Sequence, residues 1–161
     1  MCSMGFWKRK YNIDISNHFD IAMRTTNESR LRLLHFKIMQ NIYPTNIMLV
    51  KMKIKNSTQC EHCGVIDYIE HFFVECKKVA PFWKFIMNKI LLDSNSQISL
   101  KTHHILFGIK KADFPQLDNK TIKYTNKLIL IGKMCISKLR YGKVNNIFTI
   151  FEYEWQLRNQ K

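Results

Sequence analysis

The residues able to do chemistry lie in one short window: Cys60-Glu61-His62-Cys63-Gly64, then His71, then Cys76. The spacing is C-x2-C-x7-H-x4-C, and the four side chains are of the type and number that fill a tetrahedral zinc shell. Two residues between the first cysteines let one tight turn aim both sulfurs at a single point. Gly64, just after the pair, can take the positive φ that such a turn often needs. With three thiolates and a histidine, protein fills every position and none is left for a reacting water, which describes a structural site. The complex would carry a net charge of about −1, a poor direct contact for phosphate. Its role would lie in folding, tying the turn region at 45–55 to the helices that follow. The alternative is a set of small buried cysteines with a satisfied histidine. A lone C-x2-C would leave that alternative strong; third and fourth ligands in register argue against it. His62 sits between two ligands on the turn and should point away.

Other candidates carry less. His103-His104 could be a second metal site or a base, and a nuclease would have to be built on them, but no carboxylate or cysteine accompanies them at a usable spacing. Cys2 has no ligand-like neighbours, and Cys135 falls on an apolar helical face and reads as core. Glu152 and Glu154 read as solvent-facing. Phosphate-loop glycines, a nucleophile elbow and paired aspartates for two metals are absent. Trp7, Trp83 and Trp155 could stack on bases, though core packing is the simpler role, above all for Trp83.

The elements that must position the window read mainly as helices. Residues 1–26 show no clean helical period and read as a short strand or irregular N-terminal arm. Asn27 looks like an N-cap for a helix with Leu31, Leu34, Ile38 and Met39 on one stripe, stopped by Tyr43-Pro44. Thr45 can cap a short helix through Leu49 and Met52. Helices are expected at 66–75 and 79–92, the latter with Pro81 near its start. Residues 93–104 read as a polar loop and Ile105 to Gly108 as a short apolar patch. Long helical patterns follow at 119–140 and 144–158. The fold class is therefore mainly α: a helical zinc-binding domain over 27–92, with a basic, helical C-terminal tail over 93–161 packed on it.

Charge points to the partner. The chain has 161 residues, with 26 Lys and Arg against 12 Asp and Glu, a net +14. Residues 1–59 carry a net +7, residues 60–92 are neutral, and residues 93–161 carry +7 again. An excess of this size suits a polyanion, and the flanks would do the phosphate work. The best candidates are Arg30, Arg32, Lys51, Lys53, Lys55, Lys123, Lys127, Lys138 and Arg140. Apolar residues at 46% suffice for a core. Five cysteines, an odd number, and an N-terminus with charge where a secretory core should be apolar suggest an intracellular compartment, nucleus or cytoplasm. No stretch approaches the ~18 apolar residues of a membrane span, so no membrane partner is expected.

The same residues resemble a known family. The run from Arg30 to Ile54 with its Phe36-Lys37 pair, then Gln59 to Cys63, Ile69 to Cys76 and Phe82-Trp83, is similar to the zinc-binding region of non-long-terminal-repeat (LINE-type) retrotransposon reverse transcriptases. The later segments His104 to Ile109 and Ile136 to Gly142 resemble the C-terminal tail of those proteins. The resemblance spans roughly residues 6–157. It implies Cys60, Cys63, His71 and Cys76 as ligands of one structural Zn(2+), and a fragment or free-standing copy of a C-terminal module. Such a module would hold RNA or single-stranded DNA and would have no polymerase or endonuclease activity of its own. The alternative is a zinc-stabilised module that docks on a reverse transcriptase core.

Overall fold

The computed structural model describes residues 3–160. Among them there is no β-strand, only an isolated antiparallel bridge between Gln59 and Ile66. The helices are α1 (Ser3–Tyr11), α2 (Ile21–Thr25), α3 (Ser29–Met39), α4 (Asn46–Lys51), α5 (Ala80–Ser94), α6 (Thr102–Phe107), α7 (Asn119–Arg140) and α8 (Ile147–Asn159), with a 3-10 turn at Ile15–His18 and a π turn at His71–Glu75. None is long and apolar enough to cross a membrane.

α7 is the axis of the molecule. Asp118 starts it by accepting from the Thr121 amide at 2.7 Å. From Leu128 to Ile136 every residue is buried, as expected of a helix surrounded on all sides. α2, α3, α5 and α8 pack against it. Gly132 is what lets α5 come close: a Cβ there would sit 3.0 Å from Phe82 and 3.1 Å from Trp83. Asn146 caps α8 by accepting from the Phe148 and Thr149 amides. α8 is then locked to the start of α3, because Arg158 donates to both Glu28 oxygens at 2.7 and 2.6 Å.

Several expectations are corrected. Over the described part of 1–26, residues 3–26 do not form a strand or irregular arm but α1, the 3-10 turn and α2. Trp7 is fully buried, donates from Nε1 to the Met39 carbonyl at 3.0 Å and meets the Phe107 ring edge-on. α1 is too short to show a period, so its place comes from these tertiary contacts. α3 is preceded by Glu28 at its N-cap rather than Asn27. The apolar patch at 105–108 lies in a helix, α6, which begins inside the supposed loop; a short apolar run does not reveal its own conformation. Glu154 is buried against Lys138 and Arg158 rather than facing solvent. Cys2 lies outside the described residues.

α7 also buries a lysine. Lys133 is fully enclosed and donates to the Leu106 carbonyl at 2.8 Å, with His35 Nδ1 at 3.4 Å. Burial brings its pKa down to about 7. Burial, then the lysine beside it, lowers that of His35 to about 3. A neutral His35 fits both contacts: Nε2–H donates to the His18 carbonyl at 3.1 Å, and Nδ1 accepts from the lysine.

Candidate metal centre

The loop that carries Cys60 and Cys63 is a miniature hairpin. The Asp67 amide donates to the Thr58 carbonyl, and the Cys60 amide donates to the Val65 carbonyl at 2.7 Å. The Gly64 amide returns to the Cys60 carbonyl at 2.8 Å, and Gly64 takes φ +70°. That conformation suits glycine and lets two sulfurs face one point. The other half of the site comes from the π turn. Its widened geometry has the Cys76 amide donating to the His71 carbonyl at 3.0 Å, five residues back. An ordinary helical turn would rotate His71 and Cys76 differently; π turns often occur at functional sites. The expected helix at 66–75 is thus shorter and wider than periodicity suggested.

The four side chains converge. One ligand atom from each of Cys60, Cys63, His71 and Cys76 lies within 4.8 Å of every other. Cys76 Sγ is 3.6 Å from Cys63 Sγ and 3.9 Å from Cys60 Sγ. A tetrahedron with Zn–S bonds of ~2.3 Å separates sulfurs by about 3.8 Å, so the spacing suits zinc; a disulfide would need about 2.0 Å. His71 Nε2 is buried and has no hydrogen-bond partner, an orphan that a metal would satisfy. The donor set and this orphan fit one structural zinc ion. When bound, zinc would supply a four-way cross-link between the hairpin and the π turn. The Lys77 amide already donates to Cys63 Sγ at 3.3 Å, as thiolate ligands require of their surroundings. His62 is exposed and outside the cluster, as its position on the turn suggested.

Arg140 reaches this cluster from the last turn of α7. Nη1 donates to Cys76 Sγ at 2.8 Å and to Cys60 Sγ at 3.1 Å. Nη2 donates to Asp67 Oδ1 at 2.6 Å, and the guanidinium lies over the Phe72 ring. Burial opposes its charge, but Asp67 and the two sulfurs outweigh that and raise its pKa further. Burial pushes the Cys60 thiol up, yet the adjacent His71 ring, backbone amides and Arg140 bring it down to about 6. Cys76 is pushed up to about 11, with burial the leading cause. Arg140 thus places a positive charge against a centre whose zinc complex would be about −1.

Arg140 was expected to contact phosphate. Its side chain is 5% exposed and fully engaged, so that expectation is corrected. The signals that could have revealed it are the charge of a three-thiolate site and Asp67 four residues before His71. Both called for a buried cation; neither said which.

The other basic candidates divide into two groups. Arg30, Lys51, Lys53 and Lys123 are exposed, their side chains making no hydrogen bond or ion pair among the described residues. The rest are engaged. Arg32 donates to the Thr26 and Met23 carbonyls and to Asn27. Lys55 holds Asn46 and Glu61, and Lys127 holds Asn159 over the Trp155 ring. Lys138 pairs with Glu154. His103 packs against the Tyr11 ring, and His104 is structural: its Nδ1 accepts from the Lys101 amide at 3.1 Å, and burial lowers its pKa to about 4. Cys60, Cys63, His71 and Cys76 are the one group of this kind among the described residues.

With this geometry in view, the comparison that bears on it is direct. Residues 7–83 match the family model for zinc-binding in reverse transcriptase. The matched stretch contains all four ligands and the Phe82-Trp83 pair. It ends before α6, α7 and α8, so Arg140 and the segments from His104 to Ile109 and from Ile136 to Gly142 lie beyond it. No curated protein and no solved structure matches the chain.

Proposed function

We propose that this chain is a nucleic-acid-binding module of the LINE-type reverse transcriptase kind, held in shape by zinc and without polymerase or nuclease activity of its own. Its ligand would be RNA or single-stranded DNA, bound in the nucleus or cytoplasm with little sequence preference. The observation that carries the reading is the set of cations left unpaired. After internal ion pairs are made, Arg30, Lys51, Lys53 and Lys123 still face solvent on a chain of net +14. Unpaired surface cations are what releases counterions from a phosphate backbone.

The test is a salt titration of affinity for a fluorescent single-stranded RNA, using zinc-loaded protein. The expected result is a steep fall of log affinity with log salt, with a slope implying about five or more neutralised phosphates. No binding at about 50 mM salt by a folded sample would overturn the reading.

A second reading has its own support. Large apolar side chains lie open to solvent, with Leu92 83% and Ile54 63% exposed, as on a surface that docks against another protein such as a reverse transcriptase core. It predicts self-association of the isolated chain, read by sedimentation, and survives a failed RNA titration.

A further inference from the structure

α3 carries two different faces. Leu31, Leu34, His35 and Ile38 are buried. Arg30, Leu33 and Lys37 follow one another on the opposite side, with Leu33 53% exposed. Across a groove of about 410 Å³ stands the end of α7, presenting Ser137 and Tyr141, with Lys143 just beyond. Tyr43 and Pro44 line the groove between the two helices. No carboxylate lines it. Lys138 is spent on Glu154, but the side chains of Arg30, Lys37 and Lys143 have no hydrogen bond or ion pair among the described residues.

A second basic groove is larger, about 910 Å³, and holds Lys120 and Lys123 without a side-chain partner among the described residues, but a carboxylate stands among them. Glu28 lines it, Arg158 is consumed by Glu28 and Glu154, and Lys127 holds Asn159. The smaller groove therefore differs in holding its free cations with no carboxylate in its lining.

Its chemistry also selects among polyanions. Tyr141, 42% exposed, and Leu33 both line the groove. A duplex shows phosphates and sugars on its outside and keeps its base faces covered. A single strand offers phosphates and uncovered base faces together, matching cations set among aromatic and apolar surface. The far wall is held rigidly. Tyr141 Oη donates to the Pro44 carbonyl at 2.6 Å, Tyr43 Oη and Ser137 Oγ share a hydrogen bond at 2.5 Å, and the neighbouring Arg140 is clamped to the metal ligands.

We propose that the groove between α3 and the end of α7 seats a single-stranded nucleic acid, with phosphates on Arg30, Lys37 and Lys143 and a base against Leu33 and Tyr141. This rests on the nucleic-acid reading above and adds its location and strandedness.

The experiment uses the full zinc-loaded chain and a fluorescein-labelled oligouridylate, titrated with salt. The triple variant Arg30→Ala, Lys37→Ala, Lys143→Ala is expected to lose at least about tenfold in affinity and to lower the salt slope by about 2, three contacts at ~0.7 each. A triple matched for lost charge, Lys84→Ala, Lys110→Ala, Lys120→Ala, is expected to stay within about threefold of the parent. Leu33→Asn is expected to weaken binding with the slope unchanged, and a duplex of equal length to bind more weakly. Circular dichroism and zinc stoichiometry establish that each variant is folded. If the parent chain fails to bind, the nucleic-acid reading falls and this inference with it. If the parent binds and the two triples lose equally, the groove assignment alone falls. Tighter duplex binding, or equal competition by polyglutamate, removes the single-stranded occupant.

Discussion

Two buried polar sites draw on α7, one at Lys133 and one seven residues further on at Arg140, and they handle charge in opposite ways. At the metal centre, charges are kept and paired: Arg140 faces two cysteine sulfurs and Asp67, and Asp67 is 1% exposed. At Lys133 and His35, charge is given up: burial brings the lysine down to about 7 and the histidine to about 3, so both tend toward neutral forms. The difference follows from what is nearby. A buried cation stays charged if an anion stands in contact, and otherwise sheds its proton. Lys133 finds only a carbonyl and a ring nitrogen; Arg140 finds a carboxylate and two cysteine sulfurs.

The largest expected effect tests the paired site at its centre. Cys60→Ser together with Cys63→Ser is expected to abolish stoichiometric zinc binding and to cause loss of cooperative unfolding, since metal binding and folding are one equilibrium in such sites. Atomic absorption and thermal denaturation check it; a double variant that kept metal and fold would remove the metal centre from the argument.

Next comes Arg140→Met. Leaving Asp67 and the thiolates without their cation is expected to cost about 3–5 kcal/mol, and zinc affinity in chelator competition is expected to drop about 10–100-fold. Arg140→Lys keeps a charge without the fork and is expected to fall between. A stable, tight-binding Arg140→Met protein would show that the two sites do not differ as described.

The neutral site is tested through pH. An unfolded lysine takes up its proton below its ordinary pKa of 10.5, whereas Lys133 in the fold waits until about 7. Between those values the unfolded state binds more protons, so stability rises with pH across the window and the penalty is fully present below about 7. Lys133→Met is expected to flatten that slope, a change on the order of 3 kcal/mol between neutral pH and pH ~10 in denaturant melts. His35 works the same way lower down: its folded value of about 3 lies under the ordinary 6.5, so stability is lost as pH falls through that interval. An unchanged slope in Lys133→Met would mean that the buried lysine keeps its charge.

The smallest effect is a control on the ligand set. His62→Ala is expected to leave zinc content unaltered and stability within about 0.5 kcal/mol, because the ring is exposed and outside the cluster.

What the sequence determined by itself was whatever depends on neighbours along the chain. The four ligands were legible because two fall on one tight turn and the other two close a single helical turn. α5, α7 and α8 were legible for a similar reason, since apolar periodicity and caps act within a few residues. α1 and α6 were not: one is too short to carry a period, and the other looks the same whether read as loop or helix. Only the tertiary structure could decide the rest. Arg140 meets Cys76 across 64 residues, and Lys133 meets His35 across 98. On α7 both appear as ordinary exposed cations in a basic tail. Whether such a cation meets solvent, a carboxylate or a carbonyl is set by which helices pack against it, and burial then fixes whether it keeps its charge.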